Sequence, residues 1–119
     1  MGTNKKILIV DDSVIARILI TRHIEEKYKD WVVSEAEDAE TALKILQEVT
    51  CDVVSIDYNM PGLNGLELVK TIQKLYPSIK IAMLTANIQD TLRKEVEEIG
   101  VVFLEKPIVS ETVKALVEL

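Results

Sequence analysis

The sequence lacks the features that mark secreted and membrane proteins. Cys51 is the only cysteine among 119 residues, so no internal disulfide can form, and we expect a buried or half-buried thiol there. No apolar run approaches the roughly 18 residues of a membrane-spanning helix. The apolar run that begins at Lys6 is also too short for the core of a signal peptide. We therefore expect a cytoplasmic protein that does not contact a membrane.

Positive charge is scarce as well. The chain has 14 lysine and arginine residues against 20 acidic ones, which gives a net charge of -6. An acidic chain without a basic cluster is poorly suited to neutralising the phosphates of a nucleic acid, so we expect no direct nucleic-acid partner. No linker, repeat or low-complexity segment divides the sequence, and its length fits a single domain over residues 1–119.

The sequence does contain a regular alternation of strands and helices. Five short apolar runs rich in valine and isoleucine predict strands buried on both faces, at residues 6–10, 31–36, 52–56, 79–84 and 101–104. The intervening segments predict helices at residues 14–28, 39–48, 65–75, 89–99 and 111–118. Strict alternation predicts an α/β fold, in which a parallel sheet carries helices on both faces. The common order for five such units is 2-1-3-4-5, the doubly wound, flavodoxin-like arrangement.

Residue patterns within the helices predict their buried faces and their ends. Asp38, Asn64 and Ser110 are placed to cap the second, third and fifth helices, and Gly100 to end the fourth. Apolar residues recur at helical spacing in two helices, which predicts faces that pack on the sheet: Ile15, Ile18 and Leu19 in the first, and Leu66, Val69, Ile72 and Leu75 in the third.

Polar residues follow four of the predicted strand ends. Asp11 and Asp12 come after the first strand, Asp57 after the third, Thr85 after the fourth and Lys106 after the fifth. Taken singly, these residues have ordinary explanations as helix caps, turn residues or solvated loop residues. Because the carboxyl ends of parallel strands meet at one edge of a sheet, the joint pattern instead predicts a functional site.

Three clustered carboxylates cannot all stay ionised without help. Two like charges about 4 Å apart repel by roughly 4 kcal/mol at an effective dielectric constant of 20. A hard cation with oxygen ligands would relieve this repulsion, and we expect Mg²⁺. Asp12 and Asp57 would ligate the cation, Asp11 would assist through water, and the backbone carbonyl of Asn59 would supply a further oxygen.

The same arrangement suits phosphoryl transfer. That reaction chiefly needs positioning and neutralisation of charge on the transferring oxygens. Asp57 would attack in line and become an acyl phosphate. Lys106 and the Thr85 hydroxyl would each contact a phosphoryl oxygen.

These residues resemble the receiver domain of bacterial two-component response regulators. The resemblance covers residues 6–119 and rests on Asp11-Asp12, Asp57, Met60-Pro61-Gly62 with Gly65, Thr85 and Lys106-Pro107. It implies a signalling switch rather than an enzyme. A histidine kinase or phosphotransfer protein would phosphorylate Asp57 in the presence of Mg²⁺.

The resemblance also implies how the phosphoryl group would be sensed. Lys106 would contact it, and the Lys106-Pro107 peptide bond would be cis. Thr85 would move toward it, and Phe103 would swing inward behind Thr85. The face formed by the fourth helix, fifth strand and fifth helix would then bind a downstream target, or a second copy of the chain. Phe103 lacks the hydroxyl of the tyrosine that often stands there, so its ring can report burial only by packing.

Several alternatives stay open at this point. A stand-alone regulator, as in chemotaxis or a phosphorelay, fits best, and the receiver of a longer regulator with a DNA-binding or enzymatic output is the chief alternative. A flavin-binding electron carrier shares the sheet order, but Asp11 and Asp12 would repel a flavin phosphate. The glycine-rich motif of a nucleotide hydrolase is missing. A haloacid-dehalogenase-type phosphatase would want a second aspartate where Asn59 stands.

Overall fold

The computed structural model describes residues 5–60, 64–86 and 89–119, and the predicted turn at Pro61-Gly62 lies outside these ranges. Five strands alternate with five helices in the described chain. The strands are β1 (Lys5–Val10), β2 (Trp31–Ala36), β3 (Val53–Asp57), β4 (Lys80–Thr85) and β5 (Val102–Glu105). The helices are α1 (Val14–Lys27), α2 (Ala39–Glu48), α3 (Gly65–Leu75), α4 (Asp90–Glu98) and α5 (Ser110–Val117). In the described ranges no helix is long and apolar enough to cross a membrane.

The strands form one parallel sheet in the order β2-β1-β3-β4-β5, which confirms the predicted fold and strand order. The sheet separates two apolar layers, because successive strand residues point to opposite faces. Leu8 and Val10 belong to the layer shared with α2, α3 and α4, and Ile7 and Ile9 to the layer shared with α1 and α5. The strand order reverses between β1 and β3, so a crevice opens at their carboxyl ends.

Three strands are displaced by one residue from their predicted positions. The predictions for β3, β4 and β5 are one residue early at both ends. Their last residues, Asp57, Thr85 and Glu105, are polar and fall outside the apolar runs, yet each pairs in the sheet: Asp57 lies opposite Leu84, and Thr85 opposite Glu105. The last paired residue of each of these three strands therefore carries a polar side chain.

The predicted helix caps are confirmed except at α5, although α1 ends one residue earlier than predicted and α4 is one residue shorter at each end. Asp38 accepts a hydrogen bond from the Thr41 amide (2.8 Å), Asn64 accepts one from the Glu67 amide (2.9 Å), and Gly100 has a φ of +79° after α4. The prediction that Ser110 caps α5 is wrong, since Ser110 is already helical. The Thr112 hydroxyl instead accepts the amide N–H of Val109 at 3.2 Å, which satisfies a backbone donor at the helix start.

The predicted buried face of α1 is also wrong. Ile15, Ile18 and Leu19 are exposed, with Ile15 71% exposed, and the buried residues are Ala16, Ile20 and Ile24. Apolar residues lie on two sides of α1, so periodicity alone could not tell which side packs on the sheet. Of the predicted face of α3, Val69 and Ile72 are buried and Leu66 is half-buried against the core, whereas Leu75, the last residue of the helix, is exposed.

Candidate functional site

The carboxyl ends of β1 and β3 bring three carboxylates together. Asp11 and Asp12 follow β1 directly, and Asp57 is the last residue of β3. One oxygen of each lies within 4.8 Å of an oxygen of the other two. Asp11 is 2% exposed and Asp57 5% exposed, whereas Asp12 is open to solvent. We call this group the acidic rim.

Lys106 reaches the acidic rim from the loop after β5. Its ammonium lies 3.0 Å from Asp11 Oδ2 and 3.3 Å from Asp57 Oδ1. The backbone amide of Lys106 donates to the carbonyl of Thr85 (3.0 Å), which fixes the start of this loop against β4. The Lys106-Pro107 peptide bond is cis, as the resemblance implied.

Helix α3 begins directly against the backbone that carries Asp57. A side chain at Gly65 would overlap the carbonyl oxygen of Asp57, and its Cβ would lie 2.8 Å from the Cα of Tyr58. The Gly65 amide donates to the Tyr58 carbonyl at 3.1 Å. Only glycine lets the helix approach this closely, so the position of Asp57 depends on glycine at position 65.

Helix capping and a role for the acidic rim are compatible in this structure. The cap of α1 is Ser13, whose hydroxyl accepts the Ala16 amide at 3.2 Å. Asp11 accepts the Ser13 amide through Oδ1 (2.8 Å) and the Lys106 ammonium through Oδ2 (3.0 Å). Both oxygens of Asp11 are therefore engaged, and its orientation is fixed.

The other predicted site residues lie nearby in the fold. Thr85 is fully buried at the end of β4, and Asn59 is exposed two residues after Asp57. Phe103, on β5, is 7% exposed and belongs to the apolar layer beneath α4, as expected of a core residue. The Arg93 guanidinium lies 4.6 Å from the centre of the Phe103 ring and pairs with Glu105 at 2.7 Å.

Sequence reasoning missed Arg17 and Glu35. Arg17 Nη1 donates to the backbone carbonyl of Asp11 at 2.5 Å, and Arg17 Nε donates to Glu35 Oε1 at 3.1 Å. One signal was available: a cation is unfavourable near the amino end of a helix. An arginine as the fourth residue of α1 therefore indicates a nearby acceptor.

Burial and charge shift the proton affinities of two rim residues. Burial, and then the negative charge of Asp11, raises the pKa of Asp57 to about 6, although Lys106 partly opposes this. Burial alone would lower the pKa of Lys106, but hydrogen bonds and charges from Asp11 and Asp57 outweigh it and raise that pKa. One ammonium faces three carboxylates, so the rim has unneutralised negative charge and oxygen-only donors. These residues fit a hard divalent cation.

The raised pKa of Asp57 predicts a pH-dependent cost in stability. Between about pH 4 and pH 6 the folded chain retains a proton that the unfolded chain releases, so the stability contributed by Asp57 falls as pH rises. In metal-free buffer, Asp57→Asn should match the wild type near pH 4 and exceed its free energy of unfolding at pH 7 by no more than about 3 kcal/mol.

Urea unfolding of both proteins across this pH range measures the difference. The comparison cancels carboxylates such as Asp38, whose pKa is lowered by hydrogen bonds from Thr41 and which therefore shifts stability in the opposite direction. A stability difference that stays constant from pH 4 to pH 7 would contradict the raised pKa.

A parallel sheet in this order, with carboxylates directly after its first strand and at the last residue of its third, and with a lysine after its fifth, defines a class of protein: the α/β switch domains of two-component signalling. The family model of the response regulator receiver domain matches residues 7–118. The chain therefore belongs to the response regulator receiver domain family.

Individual relatives agree with this membership. The response regulator GacA of Pseudomonas aeruginosa is 34% identical over 95 residues, which cover 80% of this chain and 44% of GacA. The chain spans less than half the length of the curated relatives it matches. The chemotaxis protein CheY4 of Vibrio cholerae has a similar structure, with a TM-score of 0.86, 30% identity and 96% of each chain covered. The structure of the response regulator TrrA of Thermotoga maritima, solved with Mg²⁺ and beryllofluoride, is also similar. Its TM-score is 0.82, its sequence is 30% identical, and 96% of each chain is covered.

Proposed function

We propose that Asp57 accepts a phosphoryl group from the phosphohistidine of a histidine kinase or phosphotransfer protein. The observation that carries this proposal is the contact of one ammonium, Lys106, with both Asp57 and Asp11 at the acidic rim. A buried carboxylate paired in this way can lie beside a phosphoryl group, because the lysine ammonium balances the negative charge. We place this reaction in the cytoplasm, where ATP supplies the phosphate of phosphohistidine.

The proposed transfer needs little from the protein beyond position and charge. An Asp57 oxygen attacks phosphorus, the phosphorus–nitrogen bond of the donor breaks, and the imidazole leaves with the bonding electrons. Asp57 must be ionised to attack, and with a pKa of about 6 it is ionised at neutral pH. Lys106 and Thr85 would contact phosphoryl oxygens. The same groups would also assist hydrolysis of the acyl phosphate, so the domain would act as a timed switch.

We propose Mg²⁺ as the cation, held by Asp12, Asp57 and the carbonyl of Asn59, with Asp11 assisting through water. When bound, Mg²⁺ supplies positive charge to the phosphoryl oxygens. The oxygen-only donor set and the excess negative charge of the rim support this choice. The similarity to TrrA, whose structure contains Mg²⁺ and beryllofluoride, supports it as well.

We further propose that phosphorylation at the acidic rim changes the face formed by α4, β5 and α5, and that a binding partner recognises this change. Lys106 directly follows Glu105, which pairs with Arg93 of α4, so a shift of Lys106 toward a phosphoryl group would pull on that ion pair. Thr85 and Phe103 would move with it. A downstream target protein, or a second copy of the chain, would bind the altered face.

The proposal is tested by incubating the chain with acetyl phosphate and Mg²⁺ and measuring its intact mass. We expect the gain of one phosphoryl group. Borohydride reduction of an aspartyl phosphate leaves homoserine, so peptide sequencing then locates the modified residue. Homoserine at position 57 supports the proposal, and homoserine elsewhere, or no gain of mass, contradicts it.

The exposed side of α1 offers a surface on which the donor protein would dock. Val14, Ile15, Ile18 and Leu19 form one exposed apolar stripe, the α1 patch, which begins two residues after Asp12. A donor protein that brings its histidine to Asp57 must pass beside this helix. Exposed apolar residues so close to the rim therefore favour contact with the donor.

A substitution in the α1 patch should slow phosphoryl transfer from a protein donor but not from a small-molecule donor. Ile15→Ser should slow transfer from an autophosphorylated kinase core by about tenfold, since an exposed interface residue contributes to binding. It should leave labelling by acetyl phosphate within about twofold, because the rim is unchanged. Leu75→Ser, at another exposed apolar position, the end of α3, serves as the control. Equal loss with both phosphate donors would place the defect in the rim.

A further inference from the structure

Arg17 connects α1, the acidic rim and β2 through one side chain. Its guanidinium is largely buried, with the side chain 13% exposed. Nη1 donates to the Asp11 carbonyl at 2.5 Å, and Nε donates to Glu35 Oε1 at 3.1 Å. Thr21, one turn further along α1, donates to the other oxygen of Glu35 at 3.3 Å. Both carboxylate oxygens of Glu35 are therefore held, and Glu35 fixes the guanidinium.

The carbonyl held by Arg17 belongs to the peptide that joins Asp11 to Asp12. The Asp11 amide on the other side donates to the Ala36 carbonyl at 3.0 Å. The backbone of Asp11 is thus fixed at both ends. Because a peptide unit is planar, fixing this carbonyl also fixes the direction in which the chain enters Asp12.

The Asp12 carboxylate depends on this backbone more than the other two carboxylates do. Asp11 and Asp57 both contact Lys106. Among the residues that the structure describes, no hydrogen bond or ion pair holds the Asp12 side chain, which is exposed. Its approach to the other two carboxylates is therefore set by the peptide that Arg17 holds.

We propose that Arg17, fixed by Glu35, is a positioning residue for the divalent-cation site, and this rests on the proposed function of the acidic rim. The guanidinium orients the peptide before Asp12, so that the Asp12 carboxylate faces those of Asp11 and Asp57 before a cation arrives. A planar fork suits this role, since it bonds a carbonyl and a carboxylate at once. Arg17 does not touch the cation or the phosphoryl group.

The experiment uses Mn²⁺ as the probe, because the electron paramagnetic resonance signal of free Mn²⁺ reports binding directly. Arg17→Met should raise the Mn²⁺ dissociation constant by about tenfold, the usual effect of removing a group that orients a metal ligand. Arg17→Lys keeps the charge but cannot bond both partners, so it should give a smaller loss, and it serves if Arg17→Met fails to fold. Arg22→Met, an exposed arginine of the same helix, should bind Mn²⁺ as the wild type does.

A second readout distinguishes positioning from a general loss of stability. With Arg17→Met, the acetyl phosphate labelling rate should fall at low Mg²⁺ and return to within about twofold of the wild type at saturating Mg²⁺, since only the ligands are displaced. A lower melting temperature with an unchanged Mn²⁺ dissociation constant would overturn the proposal.

Asp12→Asn separates failure of this inference from failure of the proposed function. If Asp12→Asn weakens Mn²⁺ binding and Arg17→Met does not, the cation binds at the rim and only the role of Arg17 is wrong. If neither substitution changes Mn²⁺ binding, the cation does not bind at the acidic rim, and the proposed function fails as well.

Discussion

Replacing Asp57 with asparagine is expected to abolish phosphorylation by acetyl phosphate. The carboxamide is close in size to the carboxylate and fits the same buried position at the end of β3, where Asp57 is 5% exposed. An amide oxygen is a far weaker nucleophile than a carboxylate and cannot form a stable acyl phosphate. We expect the labelling rate, followed by intact mass, to fall by at least about a hundredfold.

The matched control for this substitution is Asp52→Asn. Asp52 directly precedes the same strand but lies at the opposite edge of the sheet, where it accepts the Lys6 amide at 2.8 Å. Asparagine can keep that hydrogen bond, so the Asp52 variant should be labelled like the wild type. An Asp57→Asn protein that still gains one phosphoryl group would move the acceptor to another residue.

Replacing Lys106 with methionine is expected to destabilise the fold at neutral pH and to disconnect the acidic rim from α4. The substitution leaves Asp11 and Asp57 buried without their shared cation. Loss of one partner of a buried ion pair costs about 3–5 kcal/mol, and we expect about 2–3 kcal/mol here because Lys106 is 23% exposed. Acid, which protonates Asp57, or added Mg²⁺ should restore most of this loss.

Two measurements check the Lys106 substitution. Urea unfolding at pH 7.5 and at pH 5, without metal, gives the stability change, with the exposed Lys80→Met at the opposite edge as the control. Amide hydrogen exchange with beryllofluoride and Mg²⁺ reports α4, which should respond in the wild type and stay unchanged in the variant. Unchanged stability at pH 7.5, or a normal response of α4, would count against the role given to Lys106.

The strand order could be predicted because its signals are local and repeated. β1, β3 and β4 each contain a short run rich in apolar residues, and strict alternation with helices leaves few arrangements of a parallel sheet. The edge of the sheet at which Asp11, Asp57 and Lys106 meet followed from that topology alone. Those three residues could thus be expected near one another, although they are separated by up to 95 positions in the sequence.

Other features could not be predicted because they depend on contacts between elements. Which side of α1 packs on the sheet is decided by how the helix sits over Val113 and Leu116 of α5, and Ile15 and Ile20 look alike in a sequence. The contact of Arg17 with the Asp11 carbonyl depends on a backbone atom, which no residue pattern displays. The stacking of Arg93 on Phe103 likewise requires α4 to lie beside β5.

The single tryptophan has a practical consequence for following the switch in solution. Trp31 begins β2, where the Lys5 ammonium lies 5.7 Å from the centre of its indole ring. Trp31 is level with Lys5, and Ile7 is level with Val53. Asp57, at the end of β3, therefore lies about six residues, or ~20 Å, further along the sheet and two strands across from the indole. We therefore expect the fluorescence of Trp31 to stay unchanged when the acidic rim binds a cation or carries a phosphoryl group. An optical assay needs a tryptophan next to the acceptor, introduced by Tyr58→Trp.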